Sequence, residues 1–150
     1  MARPLRPLPA LFLPICCLIQ GIGGLIGGVG LVSSPDGSGF GMPAAWLQGR
    51  LFENYLIPGL ILFTVLGIFP LTVAVGLWRS RAWAWWASLA VGGGLVIWIV
   101  TEIVIIGYRG TIGVAAWLVF GLLGVLILVL ALAPATRRYF GAGRATVHAL

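Results

Sequence analysis

The chain is poor in charge. Of its 150 residues only 12 are charged, nine basic and three acidic, whereas 61% of the sequence is hydrophobic. A soluble domain carries about 25% charged residues. So few charges cannot cover a globule of this size in water, so we expect lipid to cover much of the surface. The composition therefore excludes an ordinary water-soluble enzyme and a disordered chain.

Residues that commonly carry redox or metal chemistry are also scarce. The single histidine, His148, lies close to the C-terminus, where it cannot ligate a haem or chlorophyll inside a bilayer. The two cysteines, Cys16 and Cys17, are adjacent, whereas a redox pair usually has C-x-x-C spacing, so we expect them to be packing residues. No group of His, Cys, Asp and Glu has the spacing of zinc ligands. We predict no metal, no cofactor and no enzymatic activity, and leave bound lipid open.

Four long apolar segments occupy most of the chain. They are Ala10–Val32, Tyr55–Trp78, Trp83–Gly107 and Gly113–Ala133. Each meets the length of about 20 apolar residues that a helix needs to cross a bilayer, and none shows the alternation of a barrel strand. The links after the second and third segments are short, which makes successive helices antiparallel. The sequence predicts an all-α polytopic membrane protein, with residues 1–150 forming one antiparallel bundle of four transmembrane helices.

The arginines predict the orientation of this bundle. With both termini inside, seven of the nine arginines face the cytoplasm, and only Arg50 and Arg109 face outwards. This predicts an inner-membrane protein with an outer loop over residues 33–54 and a cytoplasmic tail over residues 134–150. The positive charge then reflects topology, so we expect the lipid bilayer as a partner and no nucleic acid. Within the outer loop, Pro43–Phe52 predicts a short interfacial helix that caps the bundle or acts as a lid.

Glycine is abundant in the first segment. Gly23 and Gly27 are four residues apart, as are Gly24 and Gly28, and this spacing lets two helix backbones approach closely. We predict that these four glycines pack helices together. The contact is either within the bundle or with other membrane subunits or a second copy of the chain.

Pro70 lies well inside the second segment. It has no N–H to donate to the preceding turn, so we expect the helix to bend there. Such a bend is typical of a transporter or a shaped pocket, and it is equally compatible with passive packing.

Glu102 is the only acid inside a predicted span. An acid in lipid is costly, so it should face the bundle interior, be paired or be protonated. Trp98 and Arg109 lie near the same helix face, and Arg50 and Gln20 could approach from other segments. The residue is therefore a candidate for a structural ion pair or hydrogen bond, for ligand or proton binding, or for contact with a partner subunit.

Two short sequences resemble a widespread group of small bacterial four-span membrane proteins: Ile57-Pro58-Gly59 and Trp98-Ile99-x-x-Glu102. The resemblance covers about Leu56–Leu130 and implies the topology, with no activity attached. The richness in arginine, glycine and tryptophan without lysine also suggests a bacterial source.

Three functional classes follow from these features. We expect a non-catalytic accessory subunit of a larger bacterial membrane complex, respiratory or photosynthetic. The alternative is a small oligomeric transporter or channel that uses Glu102 as its binding or coupling acid. An intramembrane enzyme acting on lipid or quinone is the least supported hypothesis, because the sequence offers Glu102 no partner base or nucleophile.

Overall fold

A computed structural model of the chain describes residues 5–49, 51–107 and 111–145. The helices are α1 (Leu8–Ser33), α2 (Leu56–Phe63), α3 (Phe69–Trp78), α4 (Ala82–Ile106), α5 (Thr111–Leu132) and α6 (Pro134–Ala145). A π-helical turn, Thr64–Ile68, joins α2 to α3, so these form one rod. Four rods are long and apolar enough to cross a membrane: Leu8–Ser33, Leu56–Trp78, Ala82–Ile106 and Gly113–Leu132. The predicted all-α bundle of four membrane-spanning helices is confirmed.

The rods pack antiparallel. Gly28, near the end of α1, faces Phe63 in α2, which belongs to the first part of the second rod. Trp85, near the start of α4, donates its indole N–H to the carbonyl of Ala131 near the end of α5, at 2.8 Å. The bundle therefore has two distinct ends. The loop end holds Ser33, Leu56 and Ile106, and the tail end holds Leu8, Trp78 and Ala82.

The second rod is not a regular α-helix at its middle. Pro70 has no N–H, so the carbonyl of Leu66, four residues earlier, loses its ordinary α-helical donor. The chain adopts a π turn here, in which the N–H of Phe69 bonds to the carbonyl of Thr64. Gln20 of α1 donates its side-chain N–H to the Leu66 carbonyl at 3.1 Å. The sequence predicts a bend at Pro70; the structure has a π turn just before the proline, and Gln20 of α1 donates a hydrogen bond to it.

The long connection at the loop end contains less helix than predicted. Instead of a helix over Pro43–Phe52, the structure has a four-residue 3₁₀ segment, Ala44–Leu47. Gly49 follows with a φ of 73°, in the left-handed region that ends helical structure. Leu47 is 2% exposed, so this segment is anchored in the core at the loop end.

The segment predicted as a tail contains a helix that the sequence analysis did not anticipate. α6 packs across the tail end of the bundle, where Thr136 and Phe140 are buried and Arg137 and Arg138 are exposed.

Arg6 also belongs to this end. Its guanidinium donates to the carbonyls of Leu77 and Trp78, at the end of α3, and lies 5.6 Å from the ring centre of Tyr139 in α6.

The predicted packing role of the two cysteines has a clear structural setting. Cys16 and Cys17 are buried as free thiols. Both belong to the apolar core near the tail end, together with Leu77 and Ala84. They therefore fill space between α1 and the neighbouring rods.

Candidate intramembrane binding cavity

A cavity of about 360 Å³ lies between α1, α4 and α5 in the half of the bundle nearer the loop end. We call it the main cavity. It is lined by Gln20, Gly23, Gly24, Ile26, Gly27 and Leu31 of α1, Leu62 of α2, Leu95, Trp98, Ile99, Glu102 and Ile106 of α4, Gly113, Ala116, Trp117 and Phe120 of α5, and Phe40 and Met42 of the long connection. The lining is apolar apart from a few groups, so the cavity suits a molecule that is itself mostly apolar.

One wall of the main cavity is made of glycine. Gly23, Gly24 and Gly27 line it, and each has neighbours that would crowd a Cβ atom. At Gly24 a Cβ would overlap the carbonyl of Leu66, so this glycine lets α1 contact the backbone of the π turn. At Gly23 a Cβ would lie 2.6 Å from the ring of Phe120 on α5. The glycines thus serve both close packing and the width of the cavity.

Glu102 is held in place by a tryptophan from the next helix. The indole N–H of Trp117 donates to Oε2 of Glu102 at 2.9 Å, which links α5 to α4. Trp98 lies one turn earlier on α4, and its indole also interacts with the carboxyl group of Glu102. Glu102 is partly buried and lines the main cavity. The acid therefore faces the interior of the protein, in a ligand-accessible and aromatic setting.

Gln20 supplies a second polar group deeper in the bundle. Its side chain is 1% exposed and lines the main cavity. Nε2 donates to the Leu66 carbonyl in the π turn, whereas Oε1 has no hydrogen-bond partner among the described residues. From the helical rise, Gln20 lies about 13 Å further from the loop end than Glu102. The main cavity is therefore elongated, with one polar group near each end.

A smaller cavity of about 40 Å³ lies on the loop-end side of Glu102. Both Glu102 and Tyr55 line it, and Tyr55 is 2% exposed. Among the described residues, the Tyr55 hydroxyl has no hydrogen-bond partner. The volume is sufficient for one water molecule between the two polar groups. Glu102 thus lies between the main cavity and a small space below the long connection.

The structure brings together most, but not all, of the residues singled out in the sequence. Glu102, Trp98 and Gln20 line the main cavity with three of the four predicted glycines, Gly23, Gly24 and Gly27. Gly28 instead contacts the backbone of Phe63. Arg50 and Arg109, the predicted charge partners of Glu102, lie outside the described residues.

Sequence reasoning missed Trp117 and Tyr55. A signal for Trp117 was present, because in two antiparallel helices joined by a short link, residues at equal distances from that link lie opposite each other. Glu102 lies four residues before the end of α4 and Trp117 six residues after the start of α5, so the two are at similar distances from the link. Tyr55 carries no such signal, since the fold of the long connection places it in the same small cavity as Glu102.

Comparison of the chain with protein-family models, with curated proteins and with solved structures finds no match.

Proposed function

We propose that this chain is a non-catalytic membrane protein that binds a lipid-like molecule in the main cavity. The observation that carries the proposal is the cavity itself, with a volume of about 360 Å³ and an apolar lining interrupted by Glu102 and Gln20. Ligand sites in proteins have volumes of about 300–1,000 Å³ and combine an apolar lining with a few polar groups that orient the ligand. An elongated apolar molecule with one polar head fits this pattern.

In this proposal the head group of the ligand lies at Glu102. Trp117 fixes Oε2 of the carboxyl group by its hydrogen bond, and Trp98 adds an aromatic surface beside it. The apolar part extends along the wall of α1 that Gly23, Gly24 and Gly27 line, and these residues present only backbone to the cavity. The aromatic groups thus orient the acid, and the glycine wall accommodates the chain.

For the whole protein we propose the role of an accessory subunit in a larger bacterial membrane complex. Gly93 and Gly94 on α4 support this role, because a Cβ at either would meet nothing within 4 Å. The glycines of α1 are occupied by contacts inside the bundle, whereas this surface of α4 is open to a neighbouring helix. Gentle extraction and mass measurement of the intact particle should reveal a hetero-complex, and Gly93→Leu should release the subunit from it. A particle containing one chain alone would contradict the accessory role.

We also propose that the termini lie in the cytoplasm of a bacterial inner membrane. Four exposed arginines support this orientation, because they share the tail end of the bundle: Arg79, Arg81, Arg137 and Arg138. An excess of arginine on one side of a membrane protein is typical of its cytoplasmic side.

Binding can be tested with decanol as the probe and the full chain in lipid nanodiscs. A ligand that binds only the folded state stabilises it by about 2.7 kcal/mol at a concentration of 100 Kd, so the thermal midpoint should rise. Ala116→Phe adds a ring at the lining of the main cavity and should abolish this rise. The matched control is Ala115→Phe, at the preceding residue of α5, which is exposed and does not line the cavity.

The comparison of the two variants separates binding from effects of decanol on the bilayer. An equal rise for both variants would mean that decanol acts through the lipid, and no rise for the wild type would contradict the proposal.

A transporter would use the same cavity. In liposomes, it would carry a probe across the membrane with a rate that Glu102→Gln reduces, whereas a binding subunit would show no flux.

A further inference from the structure

A second concave surface runs along α3 at the tail end of the bundle. It has a volume of about 600 Å³ and shares no residue with the main cavity. We call it the α3 groove, and its lining consists of Ile68, Leu71, Thr72, Val75, Gly76, Arg79, Arg81 and Trp83. The proposed function assigns no role to this groove.

The length and position of the α3 groove match one leaflet of a bilayer. Ile68 and Arg79 are eleven residues apart, which corresponds to about 16 Å along a helix axis. Half of the hydrocarbon core of a bilayer is about 15 Å thick. The groove therefore begins at the π turn, in the middle of the second rod, and ends at two arginines at the tail end.

The charge at the end of the α3 groove has no counterpart among the residues that the structure describes. Arg79 and Arg81 are exposed, and neither guanidinium has a hydrogen-bond or ion-pair partner within the described ranges. All three acids of the chain are elsewhere. Asp36 and Glu53 are in the long connection, and Glu102 is in the last turns of α4, at the loop end. An external anion is thus the natural partner of these arginines.

We infer that the α3 groove binds one anionic phospholipid. Its phosphate lies between Arg79 and Arg81, since guanidinium groups bind phosphate through charge-assisted hydrogen bonds. One acyl chain follows the apolar side chains of Val75, Leu71 and Ile68 towards the π turn. The indole of Trp83 lies at the level of the head group, the usual position of tryptophan in membrane proteins.

The inference can be tested by comparing nanodiscs of phosphatidylcholine alone with nanodiscs that also contain phosphatidylglycerol. The wild type should show a higher thermal midpoint in the anionic lipid, and the double variant Arg79→Gln/Arg81→Gln should lose this difference. At about 1 kcal/mol for each arginine near the surface, the loss corresponds to about thirtyfold in affinity for the lipid. An unchanged midpoint of the variant in phosphatidylcholine shows that its fold is intact.

The matched control is Arg137→Gln/Arg138→Gln, which removes the same charge from exposed positions at the same end, on α6. It should retain the response to phosphatidylglycerol. If both double variants lose the response equally, the arginines only sense the surface potential and the groove is not a site.

The variant Val75→Trp keeps all charges and fills the groove, so it should weaken the response, and an unchanged response would contradict the acyl-chain contact. Inorganic phosphate should not replace the lipid, and an equal stabilisation by phosphate would indicate a simple anion site.

Discussion

At the scale of single residues, the pair of Glu102 and Trp117 explains how an acid is accommodated in a membrane-spanning helix. Insertion scales give about 2.5–3.5 kcal/mol for a charged residue at the bilayer centre, and less towards the interface. The hydrogen bond of 2.9 Å from Trp117 offsets part of this energy and also fixes the direction of the carboxyl group. A structural role and a ligand-binding role are thus compatible at this position.

The first prediction concerns this hydrogen bond. Trp117→Phe removes the N–H donor, so we expect a loss of about 0.5–2 kcal/mol in the free energy of unfolding, the range for hydrogen bonds between helices in a membrane. Unfolding in mixed micelles, followed by circular dichroism, gives this value. Trp78→Phe serves as a control, because Trp78 is 51% exposed and its indole has no partner in the described part of the chain. In combination with Glu102→Gln, the effects should be less than additive, and full additivity would contradict the pairing.

At the scale of elements, the sequence pattern identified the glycines of α1 but not their different partners. The G-x-x-x-G spacing predicts a face of close approach, and Gly24 and Gly28 do face the backbone of the second rod. The pattern says nothing about which helix approaches. Gly23, for instance, meets a side chain of α5, because α1 lies between two rods and not beside one.

The second prediction compares two glycine substitutions. Gly24→Ala places a Cβ against the carbonyl of Leu66, a backbone atom that cannot move freely, so we expect destabilisation by about 1–3 kcal/mol. Gly93→Ala meets nothing within 4 Å and should be neutral or stabilising by up to about 1 kcal/mol, since alanine favours helix more than glycine. Unfolding of the isolated chain in micelles measures both. Equal destabilisation by the two substitutions would contradict this prediction. It would show that the space around each glycine does not determine the effect of an added Cβ atom on stability.

The π turn shows why an irregular helix can be expected near Pro70 from the sequence, whereas the form of the irregularity cannot. Pro70 removes a hydrogen-bond donor, and this much follows from its chemistry. The form that the helix takes around Pro70 depends on α1, because Gln20 donates to the Leu66 carbonyl and Gly24 allows the two backbones to approach. These residues are far apart in the chain. Their combination becomes visible only when the antiparallel register of α1 and the second rod is known.

At the scale of the whole molecule, the four spans followed from hydropathy because membrane crossing requires long apolar runs. The predicted spans differ from the helices of the structure by a few residues at most. α6 escaped prediction because it is short and polar, and it is held by Thr136 and Phe140 against the bundle.

The main cavity could be predicted only in part. Glu102 stood out because an acid inside a span requires a partner, and Trp98 and Gln20 were named with it. The cavity arises where three helices and the long connection meet, so its volume depends on packing and leaves no local pattern in the sequence. Phe40 and Met42, which close it at the loop end, lie in a connection with little regular structure.

The central claim is that a lipid-like molecule enters the main cavity, and photolabelling tests it most directly. A long-chain alcohol that carries a diazirine is added to the protein in nanodiscs, and the labelled residues of α5 are mapped by mass spectrometry. The account predicts adducts on the cavity-lining face, at Ala116 and Phe120, and their loss in competition with decanol. Adducts confined to the lipid-facing residues Leu118, Val119 and Leu122, which are 62%, 61% and 69% exposed, would contradict it.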